Sequence, residues 1–123
     1  MDVTPIIPAN RQVIDGYGVA SFRIAGVVYQ GAVLVLPDAT HPWEVSEMAN
    51  VTLESFGAIL DRGVEILLLG CGRRMQPVPA ALRQMLRGAG IIVDAMDTGA
   101  ACRTYNVLLA EDRRVAAALL PLG

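Results

Sequence analysis

The second half of the chain alternates short apolar runs with amphipathic stretches, and this order constrains the fold most. Residues 64–69 are apolar except for Glu65, as expected for an interior strand of a covered sheet. Pro79 opens a helix whose apolar stripe is Leu82, Met85, Leu86 and Ala89, and Gly88 and Gly90 end it. Residues 91–95 read as the next strand. A further helix over about 98–111 buries Ala101, Tyr105 and Leu108, and residues 115–120 read as the last strand. Strand, helix, strand, helix, strand predicts a largely parallel sheet with helices packed on it. The strands at 64–69 and 91–95 are expected to be adjacent and parallel, because a one-helix connection allows a right-handed crossover.

The first half has a different texture. Residues 1–12 carry Pro5 and Pro8 and read as an extended lead-in. Gly16 and Gly18 flank Tyr17 and mark a turn. Phe22, Ile24, Val27, Val28 and Tyr29 surround Ala25-Gly26, a hairpin signal. Residues 32–36 form a buried strand stopped by Pro37-Asp38, and residues 39–50 a loop or short helical turn holding His41-Pro42-Trp43. A first helix is expected over 52–62, with Leu53, Phe56 and Leu60 on one face and Gly63 as its stop. The expected fold class is therefore α/β: one domain over 1–123, with a largely parallel sheet, packed helices and antiparallel strands added by an N-terminal hairpin region.

Composition narrows the chemistry. Every basic residue is Arg, so Schiff-base chemistry and the Lys-dependent phosphate loop are excluded on this chain. The single His, His41, rules out a multi-His metal centre, and no metal site or cofactor is read from the sequence. A formal charge of −2 argues against a nucleic-acid binder. No apolar run approaches the ~18 residues of a membrane span, and the first residues lack a signal-peptide pattern. Cys71 and Cys102 alone do not make a disulfide framework. These features read as a soluble, cytoplasmic protein.

Two loops follow apolar strands and together define a candidate ligand site. The first is Gly70, Cys71, Gly72, Arg73 and Arg74. The second is Asp97, Thr98 and Gly99, continued by Cys102, Tyr105 and Asn106 on neighbouring parts of the helix that follows. Ligands of open α/β sheets bind beyond the carboxyl ends of strands. Glycine backbone, a helix N-terminus capped by Asp97 or Thr98, and two guanidiniums would suit an anion. Met75 stands where a dinucleotide fingerprint needs its third Gly, so a Rossmann cofactor is not supported. The alternative is structural: the glycines serve tight turns and the arginines pair with Asp97 or Glu47.

Other groups have similar double readings. Cys71 and Cys102 can be a thiol pair brought close, or two small buried residues. His41 can be a base, or part of a loop anchored by the indole of Trp43. Tyr17 and Tyr29 read as core and hairpin residues, and Arg83 and Arg87 as a solvated helix face or a partner-binding stripe. Asn106 is a mediocre helix former, so its place inside a helix predicts a side-chain bond, to backbone at 70–74. Tyr105 is expected to pack on the sheet with its hydroxyl on a polar partner.

One series of residues carries a family resemblance. It runs Gly16-Tyr17-Gly18, Phe22-Arg23-Ile24, Gly26, Tyr29, Gly31, Leu36-Pro37-Asp38 and Pro42-Trp43. It continues with Gly70, Gly72-Arg73-Arg74 and the block Met96-Asp97-Thr98-Gly99-Ala100-Ala101-Cys102-Arg103-Thr104-Tyr105-Asn106. From about Ile14 to Leu120 the chain resembles domain-of-unknown-function family 498, which includes mitochondrial respiratory complex I assembly factor 3. The resemblance implies a compact three-layer α/β domain with a mixed central sheet, and a non-enzymatic assembly role with no catalytic residue to carry over. It implies another protein as partner, with a membrane or respiratory complex subunit as the candidate and an apolar surface beside Trp43 as the place to look. The chain departs from the family pattern at Ala20-Ser21, where a Gly-containing turn is common, and at Cys71, a variable loop position.

Overall fold

The computed structural model describes residues 11–123. The lead-in expected over 1–12 therefore lies, except for Arg11 and Gln12, outside the described residues. A three-stranded antiparallel sheet comes first: β1 (Ile14–Tyr17), β2 (Ser21–Ile24) and β3 (Val27–Gln30), in that order. The β2–β3 hairpin closes on Ala25 (φ 50°) and Gly26 (φ 80°). Positive φ at both central residues matches the right-handed twist of the strands, so the expected hairpin is present. Gly16 and Tyr17, expected in a turn, belong to β1, where the register shifts between Ile14 and Gly16.

The larger sheet holds β4 (Val33–Val35), β5 (Thr40–Pro42), β6 (Ile66–Cys71), β7 (Ile92–Met96) and β8 (Val115–Leu120), in spatial order β5-β4-β8-β6-β7. β6 pairs parallel with β7, Ile66 opposite Ile92, as the alternation predicts, and parallel with β8 on its other side. β4 runs antiparallel to both β5 and β8. The helices are α1 (Ala80–Gly88) and α2 (Thr98–Ala110).

Strand alternation sorts the apolar side chains into two cores. Leu34, Leu67, Leu69, Ala116 and Ala118 face one side, with α1 and the 43–62 segment. Val33, Val35, Leu68, Val115, Ala117 and Leu119 face the other, with α2 and the small sheet. Both faces of β6 and β8 are covered, which is why these strands are apolar without a break. Of the stripe expected on α1, Leu82 and Leu86 are buried, while Met85 and Ala89 are exposed. On α2, Leu109 rather than Leu108 completes the buried set.

Two expectations fail. Residues 52–62 do not form an α-helix. They form a 3-10 turn (Glu54–Phe56) followed by further turns. Thr52 and Ser55 bond each other's backbone N–H groups through their hydroxyls, which competes with helical bonding. Asp61 then takes φ 61°, which ends any helix. Phe56 and Ile59, three residues apart, are the buried pair. In addition, β5 lies inside the segment read as a loop. Pro42 cannot donate to a ladder but is tolerated on an edge strand.

Candidate functional site

β6 continues through Gly70 and Cys71, so the first loop begins at Gly72. A side chain at Gly70 would meet the Leu119 side chain at 2.9 Å and the Thr98 Cα at 3.1 Å. Glycine is there because the start of α2 rests on the strand. Asp97 is the N-cap: its Oδ1 accepts the Ala100 N–H at 2.9 Å. Thr98 is completely buried and joins three elements. Its N–H donates to the Gly72 carbonyl at 2.8 Å. Its hydroxyl accepts the Gly72 N–H at 2.8 Å and donates to the Leu120 carbonyl at 2.6 Å. Two of the first-turn donors of α2 that an anion would use are thus already bonded within the chain.

Gly99 makes room for a different residue. A Cβ there would meet the Tyr17 hydroxyl at 2.7 Å. That hydroxyl accepts from Arg103 Nη1 at 3.1 Å. Tyr17 and Arg103 thus wall the start of α2, and sequence reasoning left both out of the site. The only signal was the Gly99-to-Arg103 spacing of one helical turn.

Asn106 does use its side chain, but not on residues 70–74. Its Oδ1 accepts the Ile14 N–H at 2.9 Å, and its Nδ2 donates to the Ile14 carbonyl at 2.8 Å. One amide side chain thus pairs the edge of β1 as a neighbouring strand would. Tyr105 packs on the sheet, fully buried. Its hydroxyl has no hydrogen-bond partner among the described residues, contrary to expectation. Burial raises its pKa, while the Arg11 guanidinium pulls it down and the Asp38 carboxylate pushes it up.

The two thiols do not meet. Cys71 lies in the core on the α1 side of the sheet and Cys102 in the core on the α2 side. Burial raises both, Cys102 to about 12, with Arg103 lowering it and Asp97 raising it. Each is a protonated, buried thiol at neutral pH, the state opposite to an activated nucleophile.

Arg73 and Arg74 stand apart from all of this. They are exposed, and neither forms an ion pair with Asp97 or Glu47. They line a depression of about 330 Å³ with Glu47, Met48, Gln76 and the chain after β8. Asp97, Thr98 and Gly99 do not line it. Of the residues expected at one site, then, Gly70, Asp97, Thr98, Gly99, Cys102, Tyr105 and Asn106 build the packing around α2. Gly72 joins them, buried and bonded to Thr98 through both its N–H and its C=O, and Arg73 and Arg74 remain at an open surface.

Residues 14–120 match the model of the family described as Protein of unknown function (DUF498/DUF598). The chain belongs to that family. Among DUF498 relatives, an uncharacterized protein of Rhodobacter capsulatus is 41% identical over 89% of this chain and 84% of its own length. NADH dehydrogenase (ubiquinone) 1 alpha subcomplex assembly factor 3 of Danio rerio is 37% identical over 89% of this chain and 64% of that protein. The chain therefore spans a little less than two thirds of the zebrafish protein. A crystal structure of a Bartonella henselae protein named as an outer membrane protein superposes with a TM-score of 0.83 at 37% identity, covering 92% of this chain and 97% of that one.

Within the DUF498 chain, Trp43 is part of the core and not of a surface. It is 6% exposed, its Nε1 donates to the Ser55 carbonyl at 2.8 Å, and its ring stacks on Phe56 with centroids 5.5 Å apart. The loop-anchor reading of His41-Pro42-Trp43 thus describes its role. Arg83 donates to the Val93 carbonyl at 2.9 Å and so covers the edge of β7. Among the described residues no cluster of three His, Cys, Asp or Glu side chains could hold a metal, and no helix is long and apolar enough to cross a membrane.

Proposed function

We propose that this chain is a non-enzymatic interaction protein that acts in the assembly of a larger complex, as the name of its zebrafish relative states for that protein. The 37% identity over 89% of this chain carries the reading. The placement of the motif residues supports it. The glycines, Thr98 and Asn106 are engaged in the fold's own packing, and both thiols are protonated and buried. What is left to act is surface, and the partner is another protein, with subunits of a membrane or respiratory complex as the candidates. Affinity capture from the native host should return such subunits reproducibly. Capture that returns none would overturn the reading. The cytoplasm is the proposed location. Fractionation of the host should place the chain there, and recovery with the outer membrane would overturn that part.

A second reading rests on Arg73 and Arg74, two guanidiniums without an ion pair among the described residues, beside a depression of about 330 Å³. They suit a small anion, phosphate or dicarboxylate. Phosphate or succinate at saturating concentration should raise the melting temperature of the wild type and not of Arg73→Ala. Equal behaviour of the two proteins would remove this reading.

A further inference from the structure

Among the described residues the two sheets have four edges, and three of them are blocked. The edge of β1 is taken at Ile14 by the Asn106 side chain, and a register irregularity bends it. β5 is three residues long and ends in Pro42. β7 has Arg83 on the Val93 carbonyl and the exposed charge of Asp94. Short length, Pro, charge and irregular register are the means by which proteins keep edges from pairing with other chains.

β3 has none of these. The two-residue turn pairs Ile24 with Val27, and Phe22 with Tyr29. Gly31 continues the ladder by donating to the Ala20 carbonyl. In this alternation the N–H and C=O of Val28 and of Gln30 point away from β2. β3 carries no charge and no Pro, and Val27 and Val28 are each 52% exposed.

We propose that β3 is a docking edge for an extended, apolar segment of a partner protein that carries an acidic residue, added as a fourth strand of the small sheet. The acidic residue follows from charge. Arg23 stands opposite Val28 on β2, exposed and without an ion pair among the described residues. The nearby carboxylate of Asp15 is already engaged by the Gly26 N–H. A second copy fits less well: β3 against β3 sets uncharged residues opposite one another and leaves both Arg23 side chains without an anion. This inference rests on reading the chain as a protein-binding domain, and it says where and what it binds.

Amide hydrogen exchange on the full chain tests it, with two capped synthetic peptides as probes, Thr-Val-Glu-Val-Thr-Val and the same peptide with Lys in place of Glu. The Glu peptide should slow exchange of the Val28 and Gln30 amides about tenfold, the factor expected for an edge nine-tenths occupied. The Lys peptide should do so less. Arg23→Glu, an exposed change that keeps the fold, should reverse the preference. Val28→Pro, with β6 amide protection as the check on folding, should abolish the effect. No protection by either peptide overturns the proposal, as does equal protection by both. Protection that appears without peptide and rises with protein concentration assigns the edge to a second copy and also overturns it. If Val28→Pro still captures respiratory subunits from the host while neither peptide protects the edge, the edge fails and the assembly reading stands. If the peptides protect the edge and capture returns nothing, the reverse holds.

Discussion

Thr98 and Arg73 lie at the same end of the large sheet, yet their surroundings are opposite. Thr98 is completely buried, and three hydrogen bonds tie it to Gly72 and Leu120. Arg73 is exposed, at the mouth of a depression, with no ion pair among the described residues. A glycine-rich loop beside a helix N-terminus is commonly read as an anion cradle. Here one side of that feature is closed by the chain's own hydroxyl and carbonyl groups, and only the other faces solvent. The two sides should therefore answer substitution differently, the first in stability and the second in binding.

The largest effect is expected at Thr98. Thr98→Val keeps the shape and removes the hydroxyl. The Gly72 N–H and the Leu120 carbonyl, both buried, then lose this partner, at about 1–3 kcal/mol each. Chemical denaturation should show a loss of about 2–6 kcal/mol, and an unchanged midpoint would mean that the knot is not a structural element. Gly70→Ala follows. The new methyl would meet the Thr98 backbone at 3.1 Å, and overpacking of this kind costs about 1–3 kcal/mol. If Gly70→Ala proves neutral, α2 can shift on the sheet and the comparison loses its rigid side.

Asn106→Ala tests how far the closed side extends. The change leaves the Ile14 N–H and C=O without their side-chain partner, at the point where the small sheet meets α2. The loss should be about 1–3 kcal/mol, at the low end because Asn106 is only half-buried. Increased exchange of β1 amides should accompany it. A stability equal to wild type would show that the small sheet docks through its apolar residues alone.

The part of this fold that the sequence makes legible is the part with local signals. Apolar runs bounded by Pro and Gly place β6, β7, β8 and both α-helices, and the crossover rule pairs β6 with β7. The adjacency of the two loops follows from that pairing. Distance in sequence hides the rest. Asn106 announces a side-chain role by its poor helix propensity, but its partner lies 92 positions earlier. The separation of Cys71 from Cys102 depends on β6 continuing past Leu69, since each added residue of a strand changes which face the next one occupies. Residues 52–62 carry a helical spacing that Thr52 and Ser55 override by bonding the backbone themselves.

The closed side also has a pH signature. Cys102 holds its proton to about 12 in the folded chain, against an ordinary value of 9.0. A group that binds its proton more tightly when folded contributes stability below its unfolded pKa and loses that contribution as pH rises toward its folded value. Stability should therefore fall above pH 9, at no more than about 1.4 kcal/mol per pH unit for this one thiol. Cys71 and Tyr105 are raised as well and act in the same direction. Urea midpoints between pH 8 and 10 check this, with Cys102→Ala expected to show a shallower decline. A flat profile in the wild type would mean that water reaches the thiol.

The smallest effect is expected at Arg73, and it decides most about the open side. Arg73→Ala removes an exposed side chain that makes no ion pair among the described residues. Stability should stay within about 0.5 kcal/mol of wild type, as for other surface changes of this kind. A loss near that of Asn106→Ala would instead show that the guanidinium holds the loop against residues 46–48, and the depression would then be part of the fold. If stability is unchanged, any loss of phosphate or partner binding in the same variant reports on the surface alone. That separation is available only here, because at Thr98, Gly70 and Asn106 a change in binding would be inseparable from a change in folding.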